Sequence, residues 1–250
     1  MIFAIANQKG GTGKSTTAAT TAAGLIKRGY KALLIDLDPQ GNTSFSFGAE
    51  TGSRENIFSV LSGSVKAAEA VQTTAQGNII VSAPELATAD LSFNGKGGEY
   101  LLQTALKPLK RLFDYIIIDC PPSLGILTVN ALTAADRIIL TATADVYSLQ
   151  GLTQIYKTIA AVQAYSNKAL KVEGLLLTQY NGRTTVSREI REALQITAAK
   201  QFNSKVFNAT IRNSTKVKEA QIKRMSLFDY APKAAVTADY NQFIDELLTD

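Results

Sequence analysis

At 250 residues the chain has the length of one large α/β domain, and with 46% hydrophobic residues it can bury a substantial core. No apolar stretch approaches the roughly 18 residues of a membrane-spanning helix, and the lone cysteine, Cys120, excludes an internal disulfide or a multi-cysteine metal centre. With 26 basic against 21 acidic residues the net charge is only +5, so any polyanion surface has to come from local clustering.

The chain opens on the apolar run Ile2–Ala6, read as a core strand that leaves no room for a secretory leader. Next come Lys9-Gly10-Gly11-Thr12-Gly13-Lys14-Ser15-Thr16 and a helical pattern over Lys14–Arg28, stopped by Gly29. Strand, glycine-rich turn and helix in this order aim backbone N–H groups at a concavity sized for phosphate. Gly10, Gly11 and Gly13 permit close approach, Lys14 can bridge the β- and γ-phosphates, and the Ser15 hydroxyl can ligate Mg²⁺. Gln8 stands where such a loop usually has its first glycine, and a second lysine, Lys9, precedes Lys14 by five residues. One lysine can serve the nucleotide of its own subunit while the other is free to reach a nucleotide held elsewhere.

A second strand, Ala32–Ile35, runs into Asp36-Leu37-Asp38-Pro39-Gln40-Gly41-Asn42. Alternation puts Asp36 and Asp38 on one side, where one carboxylate can position an attacking water and the other hold the metal's water shell; alone, the same residues read as an acidic turn cap. Residues 41–64 are loop-rich. A strand at Ile79–Val81 and a helix over Glu99–Leu112 lead to Tyr115–Ile118, an apolar strand ending in Asp119-Cys120-Pro121-Pro122. A carboxylate delivered by a buried strand is the Walker B arrangement, opposite Ser15 at the Mg²⁺, and Cys120 reads as a small buried residue. The three sites together point to Mg²⁺-dependent hydrolysis of a nucleoside triphosphate.

Strands at Arg137–Leu140 and Val172–Leu177 then alternate with helices at Leu149–Tyr165 and Thr185–Phe202, with C-terminal helices at Lys216–Gln221 and Thr237–Leu248. Strands apolar on both faces, separated by helices, predict an α/β fold: a mostly parallel twisted sheet with helices on both faces and ligands beyond its carboxyl ends. No repeat or long linker interrupts it, so residues 1–250 are expected to form a single domain. Between Arg183 and Arg224 lie Arg188, Arg191, Lys200, Lys205, Arg212, Lys216, Lys218 and Lys223 against only Glu189, Glu192 and Glu219. Such a stretch is either a solvated face or a surface for a polyanion.

The Lys9–Thr16 loop, the Asp36–Asn42 string and Asp119-Cys-Pro-Pro-Ser123-Leu-Gly125 together resemble the ParA/Soj family of partition ATPases, in the MinD/ParA group of deviant P-loop proteins. Asn130–Asp136, Leu149–Leu152, Leu177–Thr184, Ile211–Arg212 and Lys218–Ala220 extend the resemblance over most of the chain. It implies that Lys9 crosses a dimer interface to the partner's phosphates, so that two ATP molecules are sandwiched between two subunits. Asp38 would position the attacking water, Asp36 would support the metal or Ser15, Asp119 would be the Walker B carboxylate, and Asn181 would contact the base. It further implies slow hydrolysis stimulated by a ParB-like partner, and a cytoplasmic, nucleoid-associated dimer that binds DNA without sequence preference. Arg188, Lys200, Lys205, Arg212, Lys216, Lys218, Lys223 and Arg224 are the candidate DNA contacts.

The chain departs from the family pattern at several positions. Thr12 replaces a commoner valine, expected to be tolerated because the position contributes mainly backbone, and the strand Arg137–Thr141 ends without the usual proline. Ile211 replaces the proline before Arg212, and the segment Met225–Pro232 is altered, which bears on the adenine side and on DNA and partner specificity. A membrane-cycling ATPase of the MinD kind would need a basic amphipathic C-terminal helix, whereas Phe243–Asp250 is acidic. Cluster-bridging relatives need more than one cysteine. No helix-turn-helix is expected ahead of the first strand, so operator binding is not expected, and a cargo other than DNA stays open.

Overall fold

The computed structural model describes residues 1–249; Asp250, the last residue of the acidic C-terminal run, lies outside them. Eight strands form one sheet in the order β3-β4-β2-β5-β1-β6-β7-β8. They are β1 (Ile2–Ala6), β2 (Ala32–Asp36), β3 (Val71–Thr74), β4 (Gly77–Ile80), β5 (Tyr115–Asp119), β6 (Arg137–Thr143), β7 (Lys171–Thr178) and β8 (Val206–Thr210). Every neighbouring pair is parallel except β3 and β4, which form an antiparallel hairpin at one edge.

The central strands are buried on both faces, as their unbroken apolar runs require. The two-residue period of β1 divides it between two cores: Ile2, Ala4 and Ala6 face one side, Phe3 and Ile5 the other. Helices α1 (Lys14–Lys27), α9 (Thr215–Ile222), α10 (Leu227–Tyr230) and α11 (Ala235–Thr249) cover the face of Phe3. The opposite face is covered by α5 (Leu101–Leu106), α6 (Ile126–Ala134), α7 (Val146–Tyr165) and α8 (Thr185–Phe202). Short helices α2 (Asn42–Ser46), α3 (Ile57–Leu61) and α4 (Ala89–Ser92) break up the connections on the β4 side.

The expected parallel sheet with helices on both faces is present, and its differences in detail have identifiable causes. Strand β3 reads Val-Gln-Thr-Thr and is half exposed, so no apolar run marks it. Helix α6 is buried nearly all round, which leaves no amphipathic stripe to detect. The expected helix over residues 99–112 is broken into α5 and two 3₁₀ turns, Gly98–Tyr100 and Leu109–Arg111. Pro108, at the break, has no N–H to give to a continuing helix.

Chain order reverses about β1: α1 leads away to β2 on one side, and β6, β7 and β8 extend the sheet on the other. The loop Asn7–Gly13 leaves β1 at this switch point, between the carboxyl ends of β5 and β6.

Candidate nucleotide site

Gly11 and Gly13 both have φ of +76°, in the left-handed region that glycine enters without a Cβ clash. Gly13 precedes the first turn of α1 with no side-chain cap, so the helix's first N–H groups face the loop's concavity, the geometry of an anion site. The loop is tied down from the sheet. Asn7 Oδ1 accepts from Lys9 N at 3.0 Å, Thr178 Oγ1 donates to Thr12 O at 2.8 Å, and Gln179 Nε2 donates to Gly11 O at 2.7 Å. Thr12 does more than the backbone duty expected of it. Its side chain is fully buried, and its hydroxyl meets Thr141 Oγ1 at 2.9 Å. The two departures at this loop and at the end of β6 are therefore one contact.

Lys14 is buried, and its Nζ donates across the loop to Lys9 O at 3.2 Å. Burial lowers its pKa, against the opposing pull of Asp119, Cys120 and Asp38. Lys9 points elsewhere: its Nζ lies 2.5 Å from Asp145 Oδ2 and 3.3 Å from Thr143 Oγ1, with the ring centroid of Tyr147 at 5.9 Å. Asp145 belongs to the same chain and also accepts from Ser148 N at the start of α7. The structure thus brings Lys14 into the phosphate concavity and holds Lys9 on the end of β6.

Asp36 and Asp119 lie in register on adjacent strands, and both are fully buried. Burial raises the pKa of each, and for Asp119 the neighbouring Asp36 carboxylate adds to the rise while the hydroxyls of Thr43 and Ser15 oppose it. Their surroundings differ. Asp36 is hydrogen-bonded on both oxygens: Oδ1 accepts from Asp38 N at 3.1 Å, and Oδ2 from Ser44 N at 2.8 Å and Ser44 Oγ at 2.7 Å. It anchors α2 and the loop before it. Asp119 Oδ2 accepts from Thr43 Oγ1 at 2.6 Å, while its Oδ1 is buried with no hydrogen-bond partner among the described residues. An orphaned carboxylate oxygen facing a hydroxyl is an incomplete oxygen donor set, which fits a hard divalent cation. No group of three or more His, Cys, Asp or Glu among the described residues could hold a metal by itself. Mg²⁺ keeps waters and takes substrate oxygens for much of its shell, so few protein ligands are needed to hold it.

Asp38 is half-buried, accepts from Gln40 N at 3.0 Å, and lines a cavity of about 450 Å³ together with Gly10, Gly11, Gly13, Lys14, Ser15 and Thr16. Gly13, Thr16, Gln179 and Gln221 are shared with a second cavity of about 280 Å³, walled by Ile211, Val217 and the polar Asn213 and Ser214. Asn181 is outside both. It lines an adjoining cavity that shares Gln179, Arg212 and Asn213 with the second, and its Oδ1 caps Arg183 N at 3.2 Å. Gln179, Asn213, Ser214 and Gln221 are the polar side chains of the second cavity nearest the phosphate loop's end. Isolated amides in loops have no spacing for a sequence reading to find, and Gln179 also holds φ of +50°, which nothing in its neighbours foretells.

The basic stretch divides in two. Arg212 grips Asp239 through Nε at 2.7 Å and Nη2 at 2.8 Å, and Lys216 donates to Glu219 at 2.8 Å. Lys205 is 3.8 Å from Glu246, and Arg224 donates to the carbonyls of Phe45 and Ala49. Arg188, Lys200, Lys218 and Lys223 are exposed without a carboxylate partner among the described residues, although Lys218 lines the 280 Å³ cavity. Helix α11 buries Phe243, Ile244 and Leu247 in the core and spends Asp239, Asp245 and Glu246 on intrachain contacts, so its apolar face is not available to a bilayer. Among the described residues no helix is long and apolar enough to cross a membrane.

A family model described as an AAA domain matches residues 1–172. The sporulation initiation inhibitor protein Soj of Bacillus subtilis is 36% identical over 237 residues, covering 93% of this chain and 92% of that protein. The chromosome partitioning protein ParA of Caulobacter vibrioides is 34% identical over 254 residues, covering 99% of this chain and 94% of its own. A crystal structure described as cobyrinic acid a,c-diamide synthase from Mycobacterium smegmatis, with bound ATP analogue and magnesium, superposes with a TM-score of 0.85 at 35% identity, covering 99% of this chain and 93% of that one.

Proposed function

The chain belongs to the ParA/Soj family of partition ATPases, and from that membership we propose that it is an ATP- and Mg²⁺-dependent switch that dimerises to hold DNA and lets go on hydrolysis. The observation that carries this reading is the loop with two lysines directed to different places. Lys14 lies in the phosphate concavity, and Lys9 stays outside it within reach of solvent. A cation supplied in trans neutralises charge as the γ-phosphoryl departs, so hydrolysis becomes conditional on association.

In this reading the N–H groups of residues 10–16 and the Lys14 ammonium bind the phosphates. Ser15 and the open oxygen of Asp119 hold the metal, and Asp38 orients the attacking water from its place on the cavity wall. Mg²⁺ would supply charge neutralisation at the β- and γ-phosphate oxygens. The amides of Gln179, Asn213 and Gln221 select the base. Basal turnover is slow because Lys9 starts on Asp145 of its own chain, and a ParB-like partner accelerates it. The dimer doubles a modest basic surface, which makes DNA affinity depend on nucleotide state in the cytoplasm and over the nucleoid.

The amide-synthase description of the M. smegmatis neighbour stays with that protein. This chain's one cysteine is fully buried, with burial and Asp119 pushing its thiol pKa up, so it is not placed to act as the thiolate that would release ammonia from glutamine.

Three measurements test the reading. Calorimetry with Lys14→Ala should show no ATP binding; retained affinity would refute the phosphate site. Light scattering of Asp38→Ala with ATP should show a trapped dimer, and a monomer there counts against the sandwich. Mobility shifts with a non-specific duplex should show retention with ATP only. Equal retention with ATP, ADP and no nucleotide removes the switch.

A further inference from the structure

Helix α9 closes with a turn whose sequence and conformation disagree. Arg224 N donates to Gln221 O at 3.0 Å and Met225 N to Ala220 O at 3.1 Å, with Arg224 at φ of +53°. This is the left-handed helix ending in which glycine is the usual occupant, because a Cβ crowds the backbone there. Arginine stands in its place, and its side chain leaves the helix. Nε donates to Phe45 O at 3.1 Å and Nη2 to Ala49 O at 2.5 Å, and the guanidinium carbon lies 5.3 Å from the centroid of the Phe45 ring. The backbones approach as well: a Cβ built on Gly48 would sit 3.6 Å from Arg224 O.

These partners join the nucleotide site to α9. Helix α2, which Arg224 holds by the Phe45 carbonyl and by that of Ala49 in the turn after it, carries Thr43 and Ser44, the hydroxyls bound to Asp119 and Asp36. In the same last turn of α9, Gln221 Nε2 donates to Thr16 Oγ1 at 3.0 Å on the phosphate-loop helix. Phe45, Thr16 and Gln221 all line the phosphate cavity. Helix α9 itself carries the candidate DNA cations Lys216 and Lys218.

We propose that Arg224 is a positioning residue that couples the segment after Asp38 to helix α9, and not a cation that meets a DNA phosphate. A non-glycine residue stays in the left-handed region when its surroundings over-determine it, and two carbonyls and a ring do so here. A shift of α2 on nucleotide binding reaches the last turn of α9 through this strut, and the Gln221–Thr16 contact ties that same turn to the phosphate-loop helix. For its output on DNA the proposal rests on the partition reading above; its geometry does not.

The decisive variant is Arg224→Gly. Glycine takes the left-handed turn freely, so the helix ending survives while the strut is lost; thermal unfolding checks that the fold is kept. Fluorescence anisotropy of a short non-specific duplex is followed for ATPγS- and ADP-loaded protein between about 50 and 200 mM salt. The ratio of the two affinities should fall roughly tenfold, within the usual range of coupling between sites. The salt slope with ATPγS should match that of the unmodified chain. Arg224→Lys should not restore the ratio, because a point donor cannot span two carbonyls as the planar guanidinium does. A slope shallower by about 0.9 with the ratio kept, or binding restored by lysine, identifies a phosphate contact and overturns the proposal. If the unmodified chain retains no DNA with either nucleotide, the partition reading fails by itself. The strut is then judged by hydrogen exchange: ATPγS should slow residues 215–222 in the unmodified chain and not in Arg224→Gly, and equal behaviour of the two overturns it.

Discussion

Thr12 and Thr141 illustrate how a residue-level departure is understood only with its partner. Each is fully buried, and their hydroxyls satisfy one another at 2.9 Å between the phosphate loop and β6. Thr12→Val leaves the Thr141 hydroxyl unpaired out of water, a loss of about 1–3 kcal/mol. The double change Thr12→Val, Thr141→Val removes both hydroxyls with little change in shape and should recover most of that loss. Urea unfolding of the three variants measures this; strictly additive losses would show that the hydroxyls do not interact. Asp145 is a different case. Its pair with Lys9 is about one-third exposed on each side and is worth no more than about 1 kcal/mol after screening. Asp145→Asn keeps a cap for α7, so stability should hardly move while Lys9 is released. Light scattering over an ATP titration should then find dimer at lower nucleotide concentration; an unchanged midpoint means that the pair does not restrain Lys9.

Among the elements, α1 has the tightest constraint away from the site. Gly24 lies where α1 crosses α10 and α11, and a Cβ there would meet the Phe228 ring at 2.9 Å and clash with Ile244. Alanine would gain about 1 kcal/mol of helix propensity, but overpacking a buried contact costs about 1–3 kcal/mol, so the clash wins. Gly24→Ala should lower the unfolding midpoint, and Ile244→Val should return part of it; a raised midpoint for Gly24→Ala alone would show that the helices separate freely. Element type was legible wherever one face differed from the other, as in α8, whose limits Thr185–Phe202 fall where the sequence pattern puts them. It was hidden where a helix is buried nearly all round, as in α6, or where an edge strand such as β3 is half solvated.

At the scale of the molecule, eight candidate cations reduce to a smaller free set because the fold supplies partners that sequence distance conceals. Arg212 is 27 residues from Asp239, yet the two are locked side by side. Arg212→Gln should therefore lower the melting temperature and leave the salt slope of DNA binding unaltered. Lys200→Gln and Lys223→Gln should each reduce that slope by about 0.9 if the side chain meets a phosphate, at constant melting temperature. A reversed pattern would return Arg212 to the DNA surface. By itself the sequence determined the α/β class, the phosphate loop and its two lysines, and the strand-end carboxylates, because local periodicity and short spacings suffice for these. Tertiary structure alone decided that Asp36 is bonded on both oxygens while Asp119 keeps an open one, that Asn181 lines the cavity next to the one Gln179 and Gln221 share with the phosphate loop, and that Arg224 faces α2. Each of those is settled by which distant donor fills a hydrogen bond or a wall, and that is a property of the packed chain, not of neighbouring residues.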